Sequence, residues 1–68
     1  MEHTSLIATE LSSLGFTTRI TQTGVLVSLN RPISQMEVEM ALNQILDEIQ
    51  FTVYHIHSNM VHVVTESN

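Results

Sequence analysis

Ser34 to Gln50, Ser-Gln-Met-Glu-Val-Glu-Met-Ala-Leu-Asn-Gln-Ile-Leu-Asp-Glu-Ile-Gln, is the longest stretch of the 68-residue chain with a helical period. It divides the sequence into two halves that read alike. Ser34 followed three residues later by Glu37 is a capping-box pattern, so a helix is predicted from Gln35 onward. At about 100° per residue, Val38, Ala41, Leu42, Ile45, Leu46 and Ile49 share one stripe, and Glu37, Asn43, Gln44, Asp47 and Glu48 lie off it. Met36 and Met40 fall opposite that stripe, which marks them as candidate partner contacts.

Before this helix, Ile7, Leu11 and Leu14 define a shorter helical stripe over Thr4 to Leu14, closed by Gly15 at a position suited to positive φ. Phe16 to Thr21 and Val25 to Leu29 then alternate as two strands of a hairpin, its turn centred on Gln22 and Thr23 and relieved by Gly24. In that register Phe16 faces Leu29, Thr18 faces Val27 and Ile20 faces Val25 on the core side, whereas Thr17, Arg19, Thr21 and Ser28 mark the wet side. Asn30-Arg31-Pro32-Ile33 interrupts the strand and leads into the capped helix. After the helix, Phe51 to His57 and Met60 to Thr65 read as a second hairpin turning on Ser58 and Asn59.

The halves correspond at an offset of 35 residues, with Leu14 matching Ile49, Phe16 matching Phe51, Leu26 matching Val61 and Leu29 matching Val64. The expectation is one α+β domain over residues 1–68, built as αββαββ from halves at about 3–30 and 34–65. Two helices on one face of a four-stranded, antiparallel-rich sheet would satisfy it. Moving the last strand to the front would give a ferredoxin-like order, so a circular permutation of that arrangement is expected, with the second and fourth strands central.

The second hairpin is apolar on both faces. With a two-residue turn and unbroken pairing, Phe51, Val53, His55, His57, Met60, His62 and Val64 share one face, and Tyr54, Ile56, Val61 and Val63 share the other. Matching Phe51 to Phe16 favours the first set as core and leaves Tyr54, Ile56, Val61 and Val63 as a dimer patch. The same register sets His55 opposite His62 with His57 nearby, a trio that could ligate zinc or another divalent metal, or sense pH.

Charge narrows the partners. Seven acidic residues against two arginines, with no lysine, give a net charge of −5, the wrong sign for direct nucleic-acid binding and suited to a protein partner with a basic surface. No apolar run nears the roughly 18 residues of a membrane span, and no basic leader opens the chain, so a cytoplasmic protein is expected. The absence of cysteine removes disulfides and thiolate metal sites.

Catalytic equipment is not legible. Glu37 and Glu48 are roughly 16 Å apart along a helix, the sole aspartate is Asp47, and glycine occurs only at positions 15 and 24, so neither a carboxylate pair nor a phosphate loop can be drawn. The expectation is therefore no enzyme and no cofactor. A chain this short buries only about 60% of its unfolded surface, which favours self-association. The function expected is a small, acidic, homodimeric protein-interaction module, of the kind that serves as an accessory or inhibitor protein of phages and mobile elements. The alternative is a histidine-based metal- or pH-responsive binder.

Overall fold

A computed structural model of the chain describes residues 2–45 and 50–65. Its elements run α1 (Glu2–Ser13), β1 (Thr17–Ile20), β2 (Gly24–Ser28), α2 (Gln35–Ile45), β3 (Phe51–His57) and β4 (Met60–Thr65). The fold is α+β, with two helices and a four-stranded sheet in the order β1-β2-β4-β3, every neighbouring pair antiparallel. The first and second hairpins meet along β2 and β4, the two central strands, an order compatible with the permuted ferredoxin-like arrangement.

Each helix end follows from local chemistry. At the C-terminus of α1, Gly15 adopts φ 104°. The Phe16 amide then donates to the Leu11 carbonyl at 3.1 Å and the Gly15 amide to the Ser12 carbonyl at 3.1 Å, the paired bonds of a Schellman motif. Leu11 and Phe16, at its two ends, are both buried. Leu14, expected on the buried stripe, is instead 59% exposed, because α1 stops at Ser13 and the motif turns the next residue outward.

At the start of α2 the Ser34 hydroxyl accepts from the Glu37 amide at 3.2 Å, and the Ser34 amide donates to Glu37 Oε1 at 3.4 Å, so the capping box is closed. Arg31 adds a fork onto the same carboxylate, Nη1 to Oε1 at 3.2 Å and Nη2 to Oε2 at 2.5 Å. The hydrogen bond from Arg31 is the main reason the Glu37 carboxyl sits below the usual glutamate range, with the Ser34 amide and the arginine charge assisting against partial desolvation.

The core lies between the helices and one sheet face. Ile7 and Leu11 of α1, Val38 and Leu42 of α2, and Val25, Val27, Val53, Val61 and Val63 of the sheet form one buried cluster with Phe16 and Ile33. The expected stripe of α2 holds through Val38, Ala41 and Leu42; Leu46, Ile49 and the Ile45 side chain lie outside the described residues. Ile20 was expected in the core with Val25, and its pairing with Val25 is as read, yet it is 53% exposed at the end of a four-residue edge strand.

Gly24 is needed for a different reason from the one the turn suggested. Its φ is not positive; instead, a Cβ there would lie 1.8 Å from the Val63 carbonyl oxygen on β4. The glycine is required by the close approach of the two central strands.

The second hairpin departs from the expected register. His57 pairs with Met60 across the Ser58-Asn59 turn, but a bulge between His55 and His57 shifts the rest by one residue, giving His55↔Val61, Tyr54↔His62 and Val53↔Val63. Among the described residues no non-glycine has positive φ, so this turn is not of type I′ and does not supply the matching strand twist. A bulge beside it restores that twist. The slip exchanges the faces of β4: Val61 and Val63, expected outward with Tyr54 and Ile56, are fully buried, and Met60, His62 and Val64 turn away from the helices.

Two stability measurements check this account. Gly24→Ala should destabilise the fold by more than about 2 kcal/mol, since the obstacle is backbone, and Gly15→Ala by about 1 kcal/mol through its positive φ. Urea unfolding of both variants compares them. The acid response has a defined sign. Because the folded pKa of Glu37 is depressed, the cap contributes fully above the ordinary glutamate value and is lost as pH falls through the lower, folded value. Glu37→Gln should therefore lower the urea midpoint at neutral pH and flatten part of its fall towards about pH 3.

Candidate functional site

The sheet face turned away from both helices has no covering element among the described residues. Register places its side chains in rows across the strands. Arg19, Leu26, His62 and Tyr54 form the middle row, and Thr17, Ser28, Met60 and His57 the row towards the second-hairpin turn. Gly24, Val64 and Thr52 form the third. Leu26, Met60, His62 and Val64 are half-buried by their neighbours, while Tyr54 is 55% exposed. Arg19 is the only formally charged residue in these rows.

His62 is the fixed point of this face. The imidazole on β4 reaches across β2 to Thr21, where Nε2 lies 2.9 Å from Oγ1, with the Thr23 hydroxyl at 3.5 Å. Thr21 Oγ1 already accepts from the Thr23 amide at 3.3 Å and the Gly24 amide at 3.0 Å. A hydroxyl has two acceptor sites and one proton, so the proton of Thr21 is directed at Nε2. The ring therefore accepts at Nε2, and the neutral form carries its hydrogen on Nδ1.

His55 is bound the other way. On the core side, its Nε2 is 2.6 Å from the carbonyl oxygen of Ile33, which can only accept, so Nε2 carries hydrogen. The Ile33 amide donates to the Ser58 carbonyl at 2.8 Å, and Leu29 and Asn59 exchange two bonds, amide to carbonyl at 3.1 Å and Nδ2 to carbonyl at 3.0 Å. The turn of the second hairpin is thereby sewn to the loop that precedes α2.

The expected histidine trio is not assembled. The bulge places His62 opposite Tyr54 rather than His55, and His55 and His62 make their bonds on opposite sides of the sheet. Among the described residues no group of three His, Cys, Asp or Glu side chains could hold a metal ion. Thr21 and His62 stand at a nucleophile–base distance, but both acceptor sites of the hydroxyl are occupied by backbone amides, and no described carboxylate hydrogen-bonds to His62. That geometry fastens the first turn to β4. An open cleft of about 560 Å³ beside it is lined by Thr4, Ser5, Ile20, Thr21, Val64 and Thr65 among others, without a carboxylate or imidazole among its described lining residues.

Of the residues singled out as partner contacts, Tyr54 lies on the uncovered face, Ile56 is the unpaired residue of the bulge at 47% exposure, and Val61 and Val63 belong to the core. Met36 and Met40 are 66% and 58% exposed, on the outer side of α2 as the wheel required. Leu26, Met60 and Val64 were missed as face residues. Leu26 gave a signal, being the one large apolar side chain alternating onto the wet side of the first hairpin. No helix among the described residues is long and apolar enough to cross a membrane. No family model matches the chain, and the comparisons with curated proteins and with solved structures gave no match either.

The two histidines should be distinguishable in solution. Nitrogen-15 spectra of the imidazoles at neutral pH or above are expected to show His62 as the Nδ1–H tautomer and His55 as Nε2–H. The same tautomer for both rings would contradict the bonding described. Thr21→Val should release His62 towards the mixture found in free histidine.

Proposed function

We propose that the chain is a non-catalytic protein-interaction module whose principal docking surface is the uncovered sheet face. One observation carries this reading: Leu26, Met60, Val64 and Tyr54 form an apolar field around His62 on the side opposite the core, with no element of the described chain over it. An antiparallel sheet with a free side ordinarily presents polar residues there. Burying such side chains would contribute on the order of 1.5 to 3 kcal/mol each when complete, enough to offset much of the cost of association.

A second surface supports the same class of function. Met36 and Met40 present flexible apolar side chains on α2 beside Glu39, a combination suited to a protein partner with basic groups around an apolar patch. The histidine-based metal reading is less well supported, because the three imidazoles do not converge.

Capture from lysate of the native host, read by mass spectrometry, tests the proposal. Leu26→Glu should remove captured protein while leaving helical circular dichroism intact, and Met36→Gln with Met40→Gln should weaken only partners that use the helix. Capture that is indifferent to both changes would reject the reading.

A further inference from the structure

We infer that the occupant of the uncovered sheet face is a second copy of this chain, stacked face to face about a two-fold axis that runs along the strands between β2 and β4. This rests on the docking role proposed for that face and adds its partner and geometry. Such an axis reverses each cross-strand row. It sets Arg19 of one copy over Tyr54 of the other, and Leu26 over His62, each contact made twice. The one cation in the rows and their one tyrosine occupy opposite ends of the same row, roughly 14 Å apart by strand spacing, so self-stacking matches a guanidinium with an aromatic face at both rims. In the adjoining row the small Ser28 meets Met60, and Thr17 meets His57.

Among the described residues, none of the acidic side chains behind the net charge of −5 stands on this face. The described acidic side chains, Glu10, Glu37 and Glu39, are on the helices, behind the sheet from this face. The two copies of Arg19 stand at opposite rims. Four strands about 4.8 Å apart and five residues rising about 3.3 Å each give a footprint of roughly 300 Å² per copy, the size class of a weak, reversible association. Aligned sheet-on-sheet packing, with strands within about 30°, is the geometry this requires. The outer layers of the dimer would both display Met36 and Met40.

The chain has no cysteine, which makes the axis directly testable. Arg19→Cys and Tyr54→Cys chains, mixed and treated with a short bismaleimide, should give a cross-linked dimer of one chain of each kind in excess over either variant alone. Sedimentation equilibrium of the unaltered chain should give the dimer mass at high micromolar concentration, and Leu26→Glu should weaken association by at least about tenfold. Cross-links of Tyr54→Cys with itself in excess would replace this axis, either by a two-fold running across the strands or by edge pairing of β3, and overturn the inference. A monomer mass for the unaltered chain would also overturn it. In that event, loss of a captured foreign protein on Leu26→Glu would still uphold the docking role of the face.

Discussion

The antiparallel pairing of β2 with β4 is the interaction on which the rest depends. Each half of the chain supplies a helix and a two-stranded hairpin, and an isolated hairpin is marginal in water. Joined along Gly24↔Val64 to Ser28↔Met60, the hairpins become a four-stranded sheet broad enough to receive both helices. The pairing also brings Val25 and Val27 beside Val63 and Val61, which makes the centre of the core. Gly24 is the point at which this contact is tightest, and any side chain there collides with the backbone of β4.

Around that seam, short polar contacts set the geometry of both faces. Ile33 is buried at 3%, and both its amide and its carbonyl are engaged, by Ser58 and His55. The loop feeding α2 is therefore held to the second hairpin before the cap at Ser34 fixes the helix start. On the opposite face, Thr21 and His62 tie the turn of the first hairpin to β4. Two imidazoles thus serve two different fastenings, one as donor and one as acceptor, on opposite sides of one sheet. Protein interiors rarely leave buried polar side-chain atoms without a partner, and none of the described ones is left so here.

Much of this was legible in the sequence because it is encoded locally. Ser34 with Glu37 declares a helix start, Gly15 a helix end, and the alternation from Thr17 to Ser28 the first hairpin with its register. The second hairpin resisted reading for a physical reason. Its strands are apolar on both sides, so alternation does not say which set is core, and one extra residue at Ile56 reverses the answer for everything beyond it. Val61 and Val63 changed sides with the bulge, and the apparent histidine trio dissolved with them. The role of Gly24 was likewise invisible locally, since the atom it must avoid is about forty residues away on Val63.

The central claim is the inferred self-association, in which a second copy of this chain meets the uncovered sheet face and not the helical layer. A dilution series followed by methyl NMR tests it most directly, because both faces and the core carry assignable methyl groups. The account requires the Leu26, Met60 and Val64 methyl signals to move with concentration, while those of Val25, Val61 and Val63 in the core and of Met36 and Met40 on α2 stay in place. Signals at all of these positions that are independent of concentration, or movement confined to Met36 and Met40, would contradict it.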